Sequence, residues 1–432
     1  MKFKTRVPCR KPSVSDNDDK NFTATKITPT PSSPSPPHES SLLQTHSSLQ
    51  TLPSVPSLQS LLLDDVDDLT LTRTLSSSFS LSSSITSLSI SPSTSSSTSS
   101  SLLYASAGHQ INVYDCATLT LVDTFNGDSP SSGAVKSIAF CNGKVLTAHQ
   151  DGKIRVWKLT EKLLETKTSE QKHKQVATLP TLSDRLMHYP IPKNHVQVRR
   201  HKTRLWLHHN DAVSSLAVTP TAIYSASWDK TLKIWGPLDL KCKSSVTASQ
   251  DAVNAVTVSA DGVVYTASAE GLINVWNNIN NHNDIKKMSG GLSLIATLEK
   301  HKSAVNALAL NKDETVLFSG ACDRSILVWE RVDGGKYMSV SGALRGHGGA
   351  ILSLVNIGDF LVSGSADRTV RIWRRGGGKF KCLAVLTGHK KAVKCLAGKM
   401  VEGGNGIVLF SGGLDGEIRV WNVVRLIDVS GD

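Results

Sequence analysis

One twelve-residue pattern, written six times along the chain, restricts what the protein can fold into more than any other feature. It opens on an apolar or aromatic residue, passes through Ser or Thr and small residues to an acid, and then alternates apolar positions until it ends on Trp. Tyr224-Ser225-Ala226-Ser227-Trp228-Asp229-Lys230-Thr231-Leu232-Lys233-Ile234-Trp235 is one copy, and Phe318 to Trp329 is another. Further copies end at Trp157, Trp276, Trp373 and Trp421. A weaker seventh unit, Tyr104 to Tyr114, has Tyr for the final Trp and lacks the acid. The terminal aromatics follow one another at 43, 78, 41, 53, 44 and 48 residues.

Each unit is preceded by a run of strict apolar alternation, as in Val213 to Val218, Val253 to Val258 and Val305 to Leu310. Period-two alternation over five or six residues is a half-buried strand. Two such strands, a tight turn at the acid and one further outer strand make a four-stranded sheet per unit. Seven units near the ~40–45 residues of a propeller blade predict an all-β, seven-bladed β-propeller over residues 69–432. The 78-residue interval marks an insertion between units two and three, placed at 161–205. Residues 76 to 101 hold 17 serines and read by composition as a linker. Yet Ile85-Thr86-Ser87-Leu88-Ser89-Ile90 overlays Val213 to Val218, so the first inner strand is expected at 85–90 and a loop near 92–101. Leu69 to Leu75 would then be the outer strand of the last blade, which removes the open edge of an unclosed ring.

Residues 1–68 differ in character. Runs such as Thr28-Pro29-Thr30-Pro31-Ser32-Ser33-Pro34 carry too little apolar surface to offset ordering entropy, which predicts a disordered Ser/Thr/Pro-rich N-terminal tail. An apolar-acidic island, Leu61-Leu62-Leu63-Asp64-Asp65, interrupts it. Thr28, Thr30, Ser33, Ser35 and Ser91 each precede Pro and suit proline-directed phosphorylation. The seven cysteines include no Cys-x-x-Cys pair, which argues against a disulfide framework or a Cys-rich metal site and for a reducing compartment. No apolar run reaches about 18 residues, so no membrane span is expected.

These motifs resemble the Trp-Asp (WD) repeat family. Four units match its full polar set: His209, Ser225, Asp229 and Trp235; His301, Ser319, Asp323 and Trp329; His347, Ser363, Asp367 and Trp373; His389, Ser411, Asp415 and Trp421. The resemblance implies that each set is linked by hydrogen bonds inside its blade. A catalytic triad is the competing reading, but a hydrolase needs one Ser-His-Asp set beside an oxyanion hole, not four. The other units depart: a serine near Ser131 and Ser249 stand at the His positions of units two and four, and Glu270 replaces an acid. Those blades are expected to be softer. His149 and His282 show no partner at metal-ligand spacing, so no enzyme, metal or cofactor is expected.

The insertion concentrates charge. Between Lys158 and Trp206 stand 11 basic and 4 acidic residues, +7 of the chain's +12. Its end, Val196 to Trp206, reads as a basic strand with an extra Trp. That end is either a solvated loop with Trp206 packed beneath or a lip that attracts acidic or phosphorylated protein segments. Arg199, Arg200, Lys202, Arg204 and Trp206, with Trp228, Lys230, Arg324 and Arg368 at the turns, are the candidate partner-binding residues, since Trp and Arg are enriched at interface hot spots. Trp228 could equally pack between blades.

Segments including Ala177 to Arg185, Val196 to Lys202 and Gly342 to His347 resemble the plant Jingubang group of WD-repeat proteins. That resemblance implies a regulatory scaffold in growth or development, with transcription regulators among its clients and residence in cytoplasm and nucleus. The expected state is a monomeric propeller within complexes, away from membranes. One alternative is a substrate receptor of a cullin ubiquitin ligase. Such receptors show an Arg three residues after a blade Trp, whereas Arg331 comes one place early and Arg425 one place late. A second alternative is RNA binding through the insertion, where aromatics for base stacking are few.

Overall fold

A computed structural model describes residues 71–92, 101–163, 169–199, 202–278, 291–332, 337–376, 379–401, 403 and 406–425. The expected tail, residues 69 and 70 of the expected closing strand, and most of the expected loop near 92–101 lie outside them. Seven four-stranded antiparallel sheets form a seven-bladed β-propeller. Blade three shows the plan, with strands Val213–Val218, Ile223–Ser227, Thr231–Trp235 and Cys242–Thr247 in meander order. The second strand of this blade is buried at every position, because it lies inside its sheet and is covered on both faces by neighbouring blades. Among the described residues no helix is long and apolar enough to cross a membrane.

The inner strands start at Ile85, Val135, Val213, Val253, Val305, Ile351 and Val393, and each contacts the next around the ring, the last returning to the first. All seven share one irregularity. The pairing of the inner strand with its neighbour slips immediately after the first residue, which leaves Thr86, Lys136, Ser214, Asn254, Asn306, Leu352 and Lys394 as bulged positions. A bulge bends its strand and re-aims the extra side chain. Blade seven takes three strands from the C-terminal side, and its outer strand is Leu71–Ser80, paired antiparallel with Glu417–Arg425. The first strand of the described chain thus completes the last sheet.

The core lies between blades. Trp235, fully buried, packs with Leu146, Ile154 and Val156 of the preceding blade. Trp157, Trp276, Trp373 and Trp421 each enter the corresponding cluster. Tyr114 sits among Phe410, Ile418 and Val420, with the Phe79 ring 4.8 Å away. Six free cysteines and no disulfide are found among the described residues.

The segment expected as an insertion over 161–205 divides in two. Residues 161–163 and 169–179 belong to blade two, whose third strand Ile154–Leu163 pairs antiparallel with its outer strand Ser169–Leu179, with one register shift after Val156. Besides backbone pairing, the outer strand is held by His173, which bonds Asp123 of blade one at 2.7 Å, and by the buried Leu179, neither of which gives the apolar alternation that announces a strand. The added structure is a short helix α1, Leu182–His188, and a hairpin of His195–Arg199 with Lys202–Leu205. The single basic strand expected over Val196 to Trp206 is therefore two strands.

Closure makes a direct prediction. A chain starting at residue 71 retains the closing strand and unfolds at the full-length temperature, whereas one starting at 81 exposes the edge of Glu417–Arg425 and self-associates. Thermal unfolding with light scattering checks this, and equal behaviour of the two truncations would contradict it.

Candidate functional site

In four blades the polar residues are joined end to end. The Trp indole N–H donates to the Ser hydroxyl at 2.8–2.9 Å. That hydroxyl lies 2.7–2.9 Å from His Nε2. His Nδ1 reaches an Asp Oδ2 at 2.8–3.1 Å. The second oxygen of each Asp accepts the backbone N–H two residues on, which closes the turn. Burial alone would raise these carboxyls, but the bonds from His, from backbone N–H and in three blades from a Thr or Ser hydroxyl hold Asp229, Asp323, Asp367 and Asp415 below the usual range. Burial in turn pulls His209 and His389 down. All four serines are fully buried and already placed between indole and imidazole. A hydroxyl in that position has no approach for a substrate, so the sets act as internal fasteners.

The departing blades keep part of the chain by other means. Blade four bonds Trp276 to Thr266 at 2.9 Å, and the Ser249 hydroxyl donates to Glu270, the longer acid reaching the shorter alcohol. Blade two bonds Trp157 to Thr147 at 2.9 Å, and Thr147 meets His149 Nε2 at 2.8 Å. His149, which shows no partner at metal-ligand spacing, is thus bonded inside its blade, approaching along its own strand instead of from the loop above. His149 is fully buried, and burial with the nearby Arg155 pushes its pKa down to about 3. Ser91, read as a phosphorylation site, exchanges bonds with the Leu102 backbone at the end of the first inner strand.

The inserted helix explains the charged lip. Thr181 caps it by accepting from Asp184 N, and Asp184 then faces inward, 1% exposed, where it accepts the Cys242 N–H of blade three's outer strand at 3.0 Å. An otherwise open sheet edge is thereby partnered. The apolar side faces out: Leu182 and Leu186 are each 63% exposed and Tyr189 69%. Beneath the hairpin, the buried Lys233 ammonium donates to Trp206 O and to Ser245 Oγ, both at 2.6 Å. Trp206 itself is half-buried against the core between blades two and three, with His188 edge-on at 5.7 Å. Of the two readings of this residue, packing beneath the blade edge accounts for the buried part of the ring.

Helix, hairpin and blade-two turn enclose a groove of about 580 Å³. Leu182, Leu186 and Tyr189 give it an apolar wall, and Lys153, Arg185, Arg204 and His208 surround it. Its one lining carboxylate, Asp151, is bound by Arg155 at 2.8 Å. Burial, followed by the positive charge of Arg185, Arg204, Lys233 and Lys153, pushes the His208 pKa down to about 4. Arg204 is therefore part of a built surface. Arg199 and Lys202 lie on the two hairpin strands, and Arg200 falls outside the described residues.

Lys230, Arg324 and Arg368 occupy one equivalent turn position, exposed, with φ of 74°, 69° and 72°. Other blades place Gly152, Gly271 and Gly416 there. A Cβ on Gly152 would sit 2.9 Å from His209 O and one on Gly416 2.8 Å from Leu81 O, so glycine is required where the next loop approaches. In blade three the Lys230 ammonium instead donates to Gln250 O of the next loop. Left-handed backbone at a non-glycine residue costs of order 1 kcal/mol. Trp228 is half-buried, with the Lys136 ammonium 5.0 Å from its ring centroid. His389, Asp415 and Glu417 lie close enough to hold a metal, but His389 is bonded to Asp415, and Lys390 and Arg419 pair with Glu417.

Sequence reasoning missed Asp184, Lys233 and the outward apolar face of α1. The one available signal was Lys233, a cation inside an otherwise apolar pattern.

Five segments, 201–236, 240–277, 292–330, 338–374 and 380–422, match the WD domain, G-beta repeat family. They fall on blades three to seven, so the molecule is a seven-bladed propeller that carries WD40 repeats. Among curated proteins, a putative E3 ubiquitin-protein ligase LIN of Medicago truncatula is similar, with 27% identity over 147 residues. The alignment covers 34% of this chain and 7% of that protein, so the chain spans a small part of its relative's length.

Two predictions follow from the fasteners. Ser363→Ala removes the partner of both His347 Nε2 and the Trp373 indole N–H and should cost about 2–4 kcal/mol, whereas Thr266→Val strands the Trp276 indole and costs about 1–2. Denaturant unfolding of the two variants checks the difference. His149, neutral in the fold with a pKa of about 3 against an ordinary 6.5, contributes stability that is complete above pH 6.5 and is lost as pH falls toward 3. The loss is at most about 1.4 kcal/mol per pH unit. His149→Asn should flatten that slope, and an unchanged slope would show that the imidazole is solvated.

Proposed function

We propose that this chain is a non-enzymatic WD-repeat adaptor that captures acidic protein segments carrying apolar side chains in the groove beside blade three. The carrying observation is the groove's composition: Leu182, Leu186 and Tyr189 exposed among Lys153, Arg185, Arg204 and His208, its one carboxylate engaged by Arg155. An exposed apolar patch rimmed by charge of one sign is the mark of a protein contact site. The exposed Arg324 and Arg368 extend that charge to other turns. WD40 repeats support a rigid interaction scaffold, and blade surfaces act through loop residues on a fixed frame. The resemblance to the plant Jingubang group supports a regulatory role in growth or development with transcription regulators as clients, in cytoplasm and nucleus, by a monomeric propeller within complexes.

Arg204→Glu with Leu186→Asp should weaken capture of an acidic-apolar client peptide by tenfold or more in a fluorescence titration, with the unfolding temperature retained. Reversing Arg199 and Arg200 tests the hairpin's contribution in the same assay. Arg324→Gly and Arg368→Gly should weaken client binding without lowering the unfolding temperature, since glycine relieves the turn. Unaltered binding by all of these variants would remove the groove from the proposal.

A second reading, association with a ubiquitin ligase, is favoured by the similarity of part of the chain to the ligase LIN of Medicago truncatula. Arg331, the nearest candidate for an adaptor contact, is bonded to Asp261 at 2.9 Å, and Glu330 to Arg375 at 3.0 Å. Co-purification of a cullin adaptor with the intact chain would favour this reading, and its loss in Arg331→Ala would place the contact.

A further inference from the structure

The seven bulged residues at the heads of the inner strands meet in the central channel of the ring. Four of them fasten one blade to the next. Thr86 donates to Val135 O, Ser214 to Val253 O, Asn254 to Val305 O and Asn306 to Ile351 O. A short polar side chain at this position therefore has a structural task. Three positions break the rule: Lys136, Leu352 and Lys394 make no such bond among the described residues. Blade two reaches blade three through Ser137 instead, whose hydroxyl accepts Leu216 N–H at 3.2 Å.

Two of the three exceptions are cations in the same cavity. About 220 Å³ of space lies between the inner strands, lined by Lys136, Lys394, hydroxyls and amides, and by no carboxylate. Neither ammonium has a hydrogen-bond acceptor or an ion pair among the described residues. Lys136 has only the Trp228 ring, 5.0 Å away. Burial lowers both lysine pKa values, and Lys394 lowers that of Lys136 further. Two half-buried like charges that face one open cavity without a carboxylate favour the entry of a counter-charge.

We infer that the head of the channel is a binding site for one compact oxyanion of the phosphate class, held between Lys136 and Lys394. The cavity's volume equals several waters at ~30 Å³ each, enough for a tetrahedral ion with part of its hydration shell. Ammonium groups hold such ions as point charges, and Ser137, whose hydroxyl accepts from Leu216 and keeps its own proton, lines the same cavity as a donor. The same chemistry can arrive as a free ion or at the tip of a phosphorylated side chain.

Isothermal titration of the full chain with inorganic phosphate and, separately, with N-acetyl-O-phosphoserine amide separates the two sources, at ionic strength fixed with chloride. Saturable one-to-one binding of either is expected. Lys136→Met and Lys394→Met should each weaken it about tenfold or more, and Arg204→Glu at the groove should leave it unchanged, which keeps this inference separate from the adaptor proposal. On the unaltered protein, the Lys136 and Lys394 ammonium signals should titrate at higher pH once phosphate is added. Absence of saturable binding by both probes, binding that persists in the double lysine variant, or lysine titrations indifferent to phosphate would each overturn the inference.

Discussion

A buried indole N–H must find an acceptor, and in six blades that acceptor is a Ser or Thr hydroxyl ten residues upstream on the neighbouring strand. This bond fixes the register of second and third strands, and with it which side chains face the next blade. Once the Trp is placed, its ring covers the preceding blade's core, as Trp235 covers Leu146 and Val156. The hydroxyl's remaining capacity then goes to whatever stands nearby. Where His and Asp are present they complete the chain of bonds, and where they are absent His149 or a Ser249–Glu270 pair takes part of the load. The fastening principle is constant, and the components vary.

The same economy separates structural from functional polar groups. Groups with complete partner sets, such as Asp184 on Cys242 N and Lys233 on Trp206 O, are buried and hold elements together. Cations outnumber carboxylates at two places, the groove over blades two and three and the head of the channel. In both, positive charge is collected with no free carboxylate beside it. Folding alone gives no reason for that imbalance, because like charges in proximity oppose compaction.

The insertion shows how a rigid ring acquires a specific surface. Helix α1 has seven residues, too few to be stable alone. It is held because its acid points inward to a sheet edge and its cap is supplied by Thr181. Its apolar residues are consequently turned outward, the reverse of an ordinary surface helix. Lys233 anchors the loop after the hairpin from below, so the groove wall is tied to the blade core at two independent points.

Sequence alone determined the number of blades, the four complete polar sets and the first inner strand at Ile85–Ile90, because each rests on local periodicity or fixed spacing. It also located the excess of positive charge. Tertiary structure decided the rest, for reasons that spacing does not carry. Residues 161–163 and 169–179 extend blade two through backbone pairing and through His173, whose partner Asp123 stands 50 residues earlier. Trp206 is packed and Tyr189 exposed because α1 docks through Asp184, a contact 58 residues away in sequence at Cys242. Lys136 and Lys394 belong to strands 258 residues apart and become neighbours only when the ring closes. The chain's net charge of +12 was legible from composition, but where unpaired charge could meet a ligand depended on which groups the fold had already bound to one another.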